Sequence, residues 1–284
     1  MSKIVDIHPH IVSPDTERYP ITPLGGKRSD WSADHSVDLD HFLAEMKAAG
    51  VDKAAIVHSS TTYGFNNDYV ADSIAGHPEL TGVFSVNITE PDAPERMRHW
   101  YGRGMTGMRI FAKGSTIKDP WLALDDPVTM PAWECAADLG ISVATNMSAT
   151  GVYLQQMRTI LTRFPTVPLI IDHIGRPPVA DGPPYNDAKD FFDLADFPNI
   201  YLKFTLSGLK NMIKEKATTD TLTPKLVTVF GANRIAFGSN FPSTPGTLAE
   251  IVAKTQEACR TVSEEDRSWI FGRTAQHLYP ALKD

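Results

Sequence analysis

The chain is poor in cysteine, with only Cys135 and Cys259 in 284 residues and no CxxC pair. That excludes a disulfide framework or a zinc ribbon. Both cysteines sit in helical patterns, WECAADLG and IVAKTQEACR, and are expected as buried thiols. Also missing is any uninterrupted apolar run of about 18 residues, the length of a membrane span. The opening MSKIVDIHPH has no apolar signal core, so a cytoplasmic protein with no membrane partner is expected. Basic residues are the minority, 27 Lys and Arg against 34 Asp and Glu, for a net charge of −7. That balance argues against nucleic acid or an anionic membrane surface as partner. No linker, repeat or low-complexity tract breaks the sequence, and one domain over residues 1–284 is expected.

What the chain has is a regular alternation of short β-type runs with helical patterns, the signature of a parallel sheet with crossover helices. Eight runs qualify: 3–11, 54–59, 80–87, 107–112, 141–147, 168–175, 200–205 and 234–240. Several are almost continuously apolar, as strands covered on both faces should be. Helical spacing fills the gaps at 37–50, 66–77, 92–103, 127–139, 150–164, 186–196, 220–230, 245–260 and 263–279, with Pro127 and Pro245 expected in first turns. Eight such units in a chain of this length predict an α/β fold closed as a (β/α)8 TIM barrel, a fold of about 250 residues; an open sheet has the same strand count. Two polar stretches, 12–36 and 176–186, follow the first and sixth strands on the face where such barrels place their sites.

Polar groups gather at the strand ends. Asp6, His8 and His10 alternate along the first strand and are expected on one face. Imidazoles there can bind a divalent metal or donate to a carbonyl oxygen. Asp172 and His173 end an apolar sixth strand, where burial without partners is unfavourable, and Asn240 ends the eighth. Arg109, Lys113, Arg176 and Lys203 also fall at or just after strand ends, and guanidinium groups clamp carboxylates. Together they predict a small anionic organic substrate, with Ser59, Ser60, Tyr63 and Asn146 adding neutral hydrogen bonds.

The segments VDIHPHI, AAIVHSS, GMTGMRIF, LIIDHIGRP, YLKFT and IAFGSNFP, in this order across nearly the whole chain, resemble the amidohydrolase-2 group of the amidohydrolase superfamily, which includes pyrone-dicarboxylate and sugar lactonases. The resemblance implies a barrel hydrolase that opens a carboxylate-bearing lactone, or a related cyclic ester or amide. In it His8, His10 and His173 polarise the scissile carbonyl and Arg109 and Arg176 hold the carboxylate. It also implies an aspartate, the general base for water, at the position of Asn240. An amide cannot take that proton, and general-base catalysis is worth about 10²–10⁴-fold. Asn240 is therefore read as the place of an Asp→Asn exchange in an otherwise complete site. A different base, or loss of hydrolysis in a barrel that only binds small acids, are the alternatives.

Metal use stays open at this point. No carboxylate stands at the ends of the fourth and fifth strands, where a bridging ligand would be wanted. Similarity to metal-independent pyrone lactonases implies that no cofactor is required. The other possibility is a single divalent ion, zinc, on His8, His10 and His173. A metal-dependent decarboxylase or hydratase of the same superfamily is the competing activity, and a homo-oligomer is compatible with the sequence.

Overall fold

The computed structural model describes residues 3–114 and 116–283. Eight strands form one parallel sheet in sequential order: β1 (Val5–Asp6), β2 (Lys53–Val57), β3 (Leu80–Phe84), β4 (Gly107–Ile110), β5 (Ser142–Thr145), β6 (Leu169–Ile171), β7 (Ile200–Phe204) and β8 (Ile235–Phe237). Neighbours pair in parallel register from Val5 opposite Lys53 to Phe204 opposite Phe237. The ring is drawn shut where the Ile7 amide donates to the Phe237 carbonyl at 3.1 Å. Asp6 reinforces this seam: one carboxylate oxygen accepts from the amides of His8 at 2.9 Å and Ser239 at 2.8 Å. The chain is a (β/α)8 TIM barrel.

Alternation along the strands sorts side chains into two populations. Ile56, Phe84, Met108, Val143, Ile171, Leu202 and Phe237 pack outward with the helices. Val5, Ala55, Val57, Val83, Ala144, Ile170 and Ala236 fill the interior. Ala275, Leu278, Tyr279 and Leu282 from the C-terminal segment join that interior cluster, and the Ser142 hydroxyl donates to the Leu278 carbonyl. Gly107 is required here, because a Cβ on it would lie 2.6 Å from the Tyr279 ring. With this segment packed into one end of the barrel, the open face is the other, at the strand C-termini.

Every strand is shorter than its apolar run. Val5 and Ile7 both belong to the interior cluster, and the ladder of β1 ends at Asp6. The expected single face for Asp6, His8 and His10 is thus corrected: the chain bends at Ile7, and Asp6 turns back to cap backbone amides. Helix positions agree better, although Asp30–Asp34, Ser60–Tyr63 and Leu206–Met212 were not expected and 263–279 is two short α-helices joined by a π-helical turn. Two further differences bear on loops near the strand ends. The region 186–196 is a short α-helix, Lys189–Phe192, between 3-10 turns. The helix expected from residue 245 starts at Leu248, capped reciprocally by Thr247 and Glu250, so Pro245 precedes it. Among the described residues no helix is long and apolar enough to cross a membrane.

Candidate active site

Just beyond the sixth strand the backbone does something rarely tolerated outside glycine. His173, Ile174, Gly175 and Arg176 have φ of 55°, 60°, 71° and 52°. A β-branched residue at φ 60° carries strain of order 1–3 kcal/mol, and Ile174 is held there fully buried. The turn sends both His173 and Arg176 to one cavity of about 270 Å³, lined also by His10, Trp31, Ser60, Arg109, Phe111, Asn146, Ser207 and Asn240.

Beneath this cavity lies an ion-pair cluster. Asp172 Oδ2 accepts from Arg109 Nε at 2.7 Å, and Asp172 Oδ1 lies 2.9 Å from Lys203 Nζ. Burial would push the Asp172 carboxyl up, but the two cations overcome it and hold the group well below the usual carboxylate range. His8 packs against this cluster, its Nδ1 3.6 Å from Asp172 Oδ1, with both ring nitrogens buried and unpartnered among the described residues. Gly238 lets it fit, since a Cβ there would come within 2.7 Å of the His8 Cβ. The His10 and His173 ring centroids each lie 5.0 Å from that of His8.

Each cavity-facing histidine is oriented by a second contact. His10 Nδ1 donates to the Val57 carbonyl at 2.7 Å, and the ring stacks on Trp31 at 5.2 Å. His173 Nδ1 meets the Thr205 hydroxyl at 2.9 Å. Burial, and then the charge of Arg109, lower His10 to about 3; burial lowers His173 to about 3 against the opposing pull of Asp172. His8 is also driven down, by burial and then by Lys203. All three are neutral at pH 7. Asn240 sits at φ 55°, and its amide nitrogen donates to Ser207 Oγ at 3.4 Å and Thr244 Oγ1 at 3.2 Å.

The sequence-predicted residues divide accordingly. His10, His173, Asn240, Arg109, Arg176, Ser59, Ser60 and Asn146 line the cavity. Ser60 Oγ and Asn146 Oδ1 are buried there without partners among the described residues. Lys203 is corrected: it has no exposure and serves Asp172, not a substrate. Tyr63 is corrected too, because its hydroxyl accepts from the Ser13 amide and pins the long first loop. Lys113 is half-buried beside the cavity and does not line it. His8 stands behind the lining, and two of four expected cations reach the substrate space. Sequence reasoning missed Trp31, Ser207 and Thr205. Trp31 lies in the stretch 12–36 already marked by its length, but nothing local says which of its residues reaches the mouth.

Among the described residues no group of three or more His, Cys, Asp or Glu side chains is arranged to hold a metal ion. The carboxylate nearest the histidines, Asp172, is committed to Lys203 and Arg109. With Arg176 these cations outnumber it, so the field at the cavity favours an anion.

Comparison with known proteins agrees with this frame. The family described as Amidohydrolase matches residues 5–281. The chain is 27% identical over 253 residues to the L-fucono-1,5-lactonase of Burkholderia ambifaria, covering 85% of this chain and 83% of that protein. It is 22% identical over 289 residues to the 4-sulfomuconolactone hydrolase of Hydrogenophaga intermedia, covering 95% and 89%. Among solved structures, one from Acinetobacter baumannii described as a probable 2-pyrone-4,6-dicarboxylic acid hydrolase, with citric acid bound, superposes with a TM-score of 0.76 at 17% identity over 98% of this chain and 99% of that one. The chain belongs to the amidohydrolase family.

Proposed function

We propose that this amidohydrolase opens a monocyclic lactone, or a related cyclic ester or amide, that carries a carboxylate. The observation that carries this reading is a small cavity in which two neutral imidazoles, His10 and His173, face the same space as the Arg109 and Arg176 guanidiniums. The cations anchor an anionic group, and the imidazoles beside them meet the reacting carbonyl and water. Ser60 and Asn146, buried and unpartnered, offer hydrogen bonds to hydroxyl groups or ring oxygens of the substrate. A volume of about 270 Å³ suits one ring and its substituents. Two similarities point the same way, since the relatives from Burkholderia ambifaria and Hydrogenophaga intermedia are named for acting on lactones.

No metal is required in this reading, because the positive field and the missing acidic ligands oppose a divalent ion. The test is a panel of five- and six-membered lactones with and without a carboxylate, followed by NMR for ring opening. Turnover confined to carboxylate-bearing rings is expected. Carbon dioxide release from aromatic acids that depends on an added divalent metal would replace it with a decarboxylase, and binding without turnover would make the chain an acid-binding barrel.

A further inference from the structure

The lactone-opening reading leaves a gap at Asn240, whose amide cannot accept the proton of the attacking water. We infer that His10 is the general base of this chain and that His173 is the donor to the carbonyl oxygen, the two rings being fixed in opposite tautomers. This deepens the reading above and rests on it.

The tautomers follow from the partners. A backbone carbonyl can only accept, so the 2.7 Å contact between His10 Nδ1 and the Val57 oxygen requires hydrogen on Nδ1. In the neutral ring Nε2 is then a bare lone pair. It has no partner among the described residues and is not sealed from solvent, and His10 lines the cavity, so that lone pair faces the substrate space. His173 is set the other way. Thr205 Oγ1 already accepts from the Gly208 amide at 3.0 Å and from Ser207 Oγ at 3.3 Å. Its proton is then the one that meets His173 Nδ1 at 2.9 Å. Ser207 Oγ also lies 3.4 Å from that nitrogen, and whether the Ser207 proton goes there or to Thr205, Nδ1 is met by a hydroxyl donor. His173 Nε2 therefore carries hydrogen and points it at the cavity. Asn240 lines the same cavity, and with its nitrogen spent on Ser207 and Thr244 its oxygen is left as the acceptor for the second water proton.

The step balances within these groups. The water oxygen bonds to the acyl carbon as one of its protons passes to His10 Nε2. Burial and then Arg109 hold the free ring at about 3, so this transfer depends on the substrate carboxylate pairing with Arg109 and raising that value. The carbonyl π pair moves onto oxygen, which takes the hydrogen bond from His173 Nε2. Collapse breaks the ring C–O bond, and the His10 imidazolium returns its proton to the departing ring oxygen. The product is the hydroxy acid, which then loses a proton to solvent.

Glutamine tells the roles apart, because its amide can still donate but cannot act as a base. In the full-length chain, H10Q should lower kcat on the best lactone by about 10²-fold or more, whereas H173Q should lose only about tenfold. Product affinity should be unchanged in both. Adding imidazole to H10G should restore part of the rate. Independently of activity, long-range ¹H–¹⁵N spectra of the unmodified protein should show His10 as the Nδ1–H tautomer and His173 as Nε2–H. H10Q within threefold of the unmodified chain, H173Q falling as far as H10Q, or the reverse tautomers would overturn the assignment. A chain that opens no lactone yet shows these tautomers would instead count against the lactone-opening reading.

Discussion

Lys203 Nζ lies 2.9 Å from Asp172 Oδ1, and neither side chain reaches solvent. The pair joins the ends of β6 and β7 at the centre of the barrel, directly beneath the histidines. Removing one charge strands the other in a medium that cannot solvate it. Asp172→Asn should therefore destabilise the fold by about 3–5 kcal/mol. The double substitution D172N/K203M should be less destabilised than D172N alone. Urea unfolding of the three proteins checks both statements.

Arg176 differs from Arg109 in what it supports. Arg109 is buried on Asp172, whereas Arg176 is exposed and has one long contact, 3.5 Å to the Asn146 carbonyl. Arg176→Met should raise KM for a carboxylate-bearing lactone by roughly 10- to 100-fold, as expected for a lost charge-assisted hydrogen bond, and leave the melting temperature nearly unchanged. Arg109→Met should lower both affinity and melting temperature.

The buried histidines make the fold sensitive to acid. His10 and His173 are held at about 3 and His58 at about 4, in each case chiefly by burial, against an ordinary value of 6.5. The unfolded chain protonates these rings as pH falls below 6.5, while the folded chain does not. Stability is thus full above 6.5 and is lost as pH falls toward the folded values, by up to about 1.4 kcal/mol per pH unit for each ring. Unfolding free energies at pH 7 and pH 5 should differ by several kcal/mol. His58→Asn, outside the cavity lining, should reduce that difference by roughly one ring's share; equal stability at the two pH values would contradict it.

Gly208 presses against the left-handed turn, where a Cβ would come 2.7 Å from the His173 carbonyl oxygen. Gly208→Ala should push His173 from its place and cut kcat by roughly tenfold or more. KM should rise less than kcat falls, because Arg109 stands on another strand and only Arg176 shares the displaced turn. Steady-state kinetics with an anionic lactone separates the two.

The barrel was legible because eight apolar runs alternate with helical spacing, and that pattern depends only on what each strand must bury. The strand ends were not. Apolar side chains continue past the last ladder pair at Ile7, Met147 and Ile174, so composition extends strands into what are site loops. Asp172 was visible as an unfavourable residue in an apolar run, but its partners stand on other strands, and register is not written in one strand's sequence. The same limit explains Lys203, which reads as a mouth residue and lies one layer below it. Which loop residue covers His10 depends on the path of the stretch 12–36, and Trp31 became evident only from that path.

The most direct test is hydrolysis of carboxylate-bearing lactones by the metal-stripped chain in ¹⁸O-labelled water. Turnover that survives chelation, with one ¹⁸O in the new carboxylate of the product and none in its hydroxyl, is the expected result. Activity that returns only with an added divalent ion, or label in the hydroxyl, would contradict metal-free water attack at the acyl carbon.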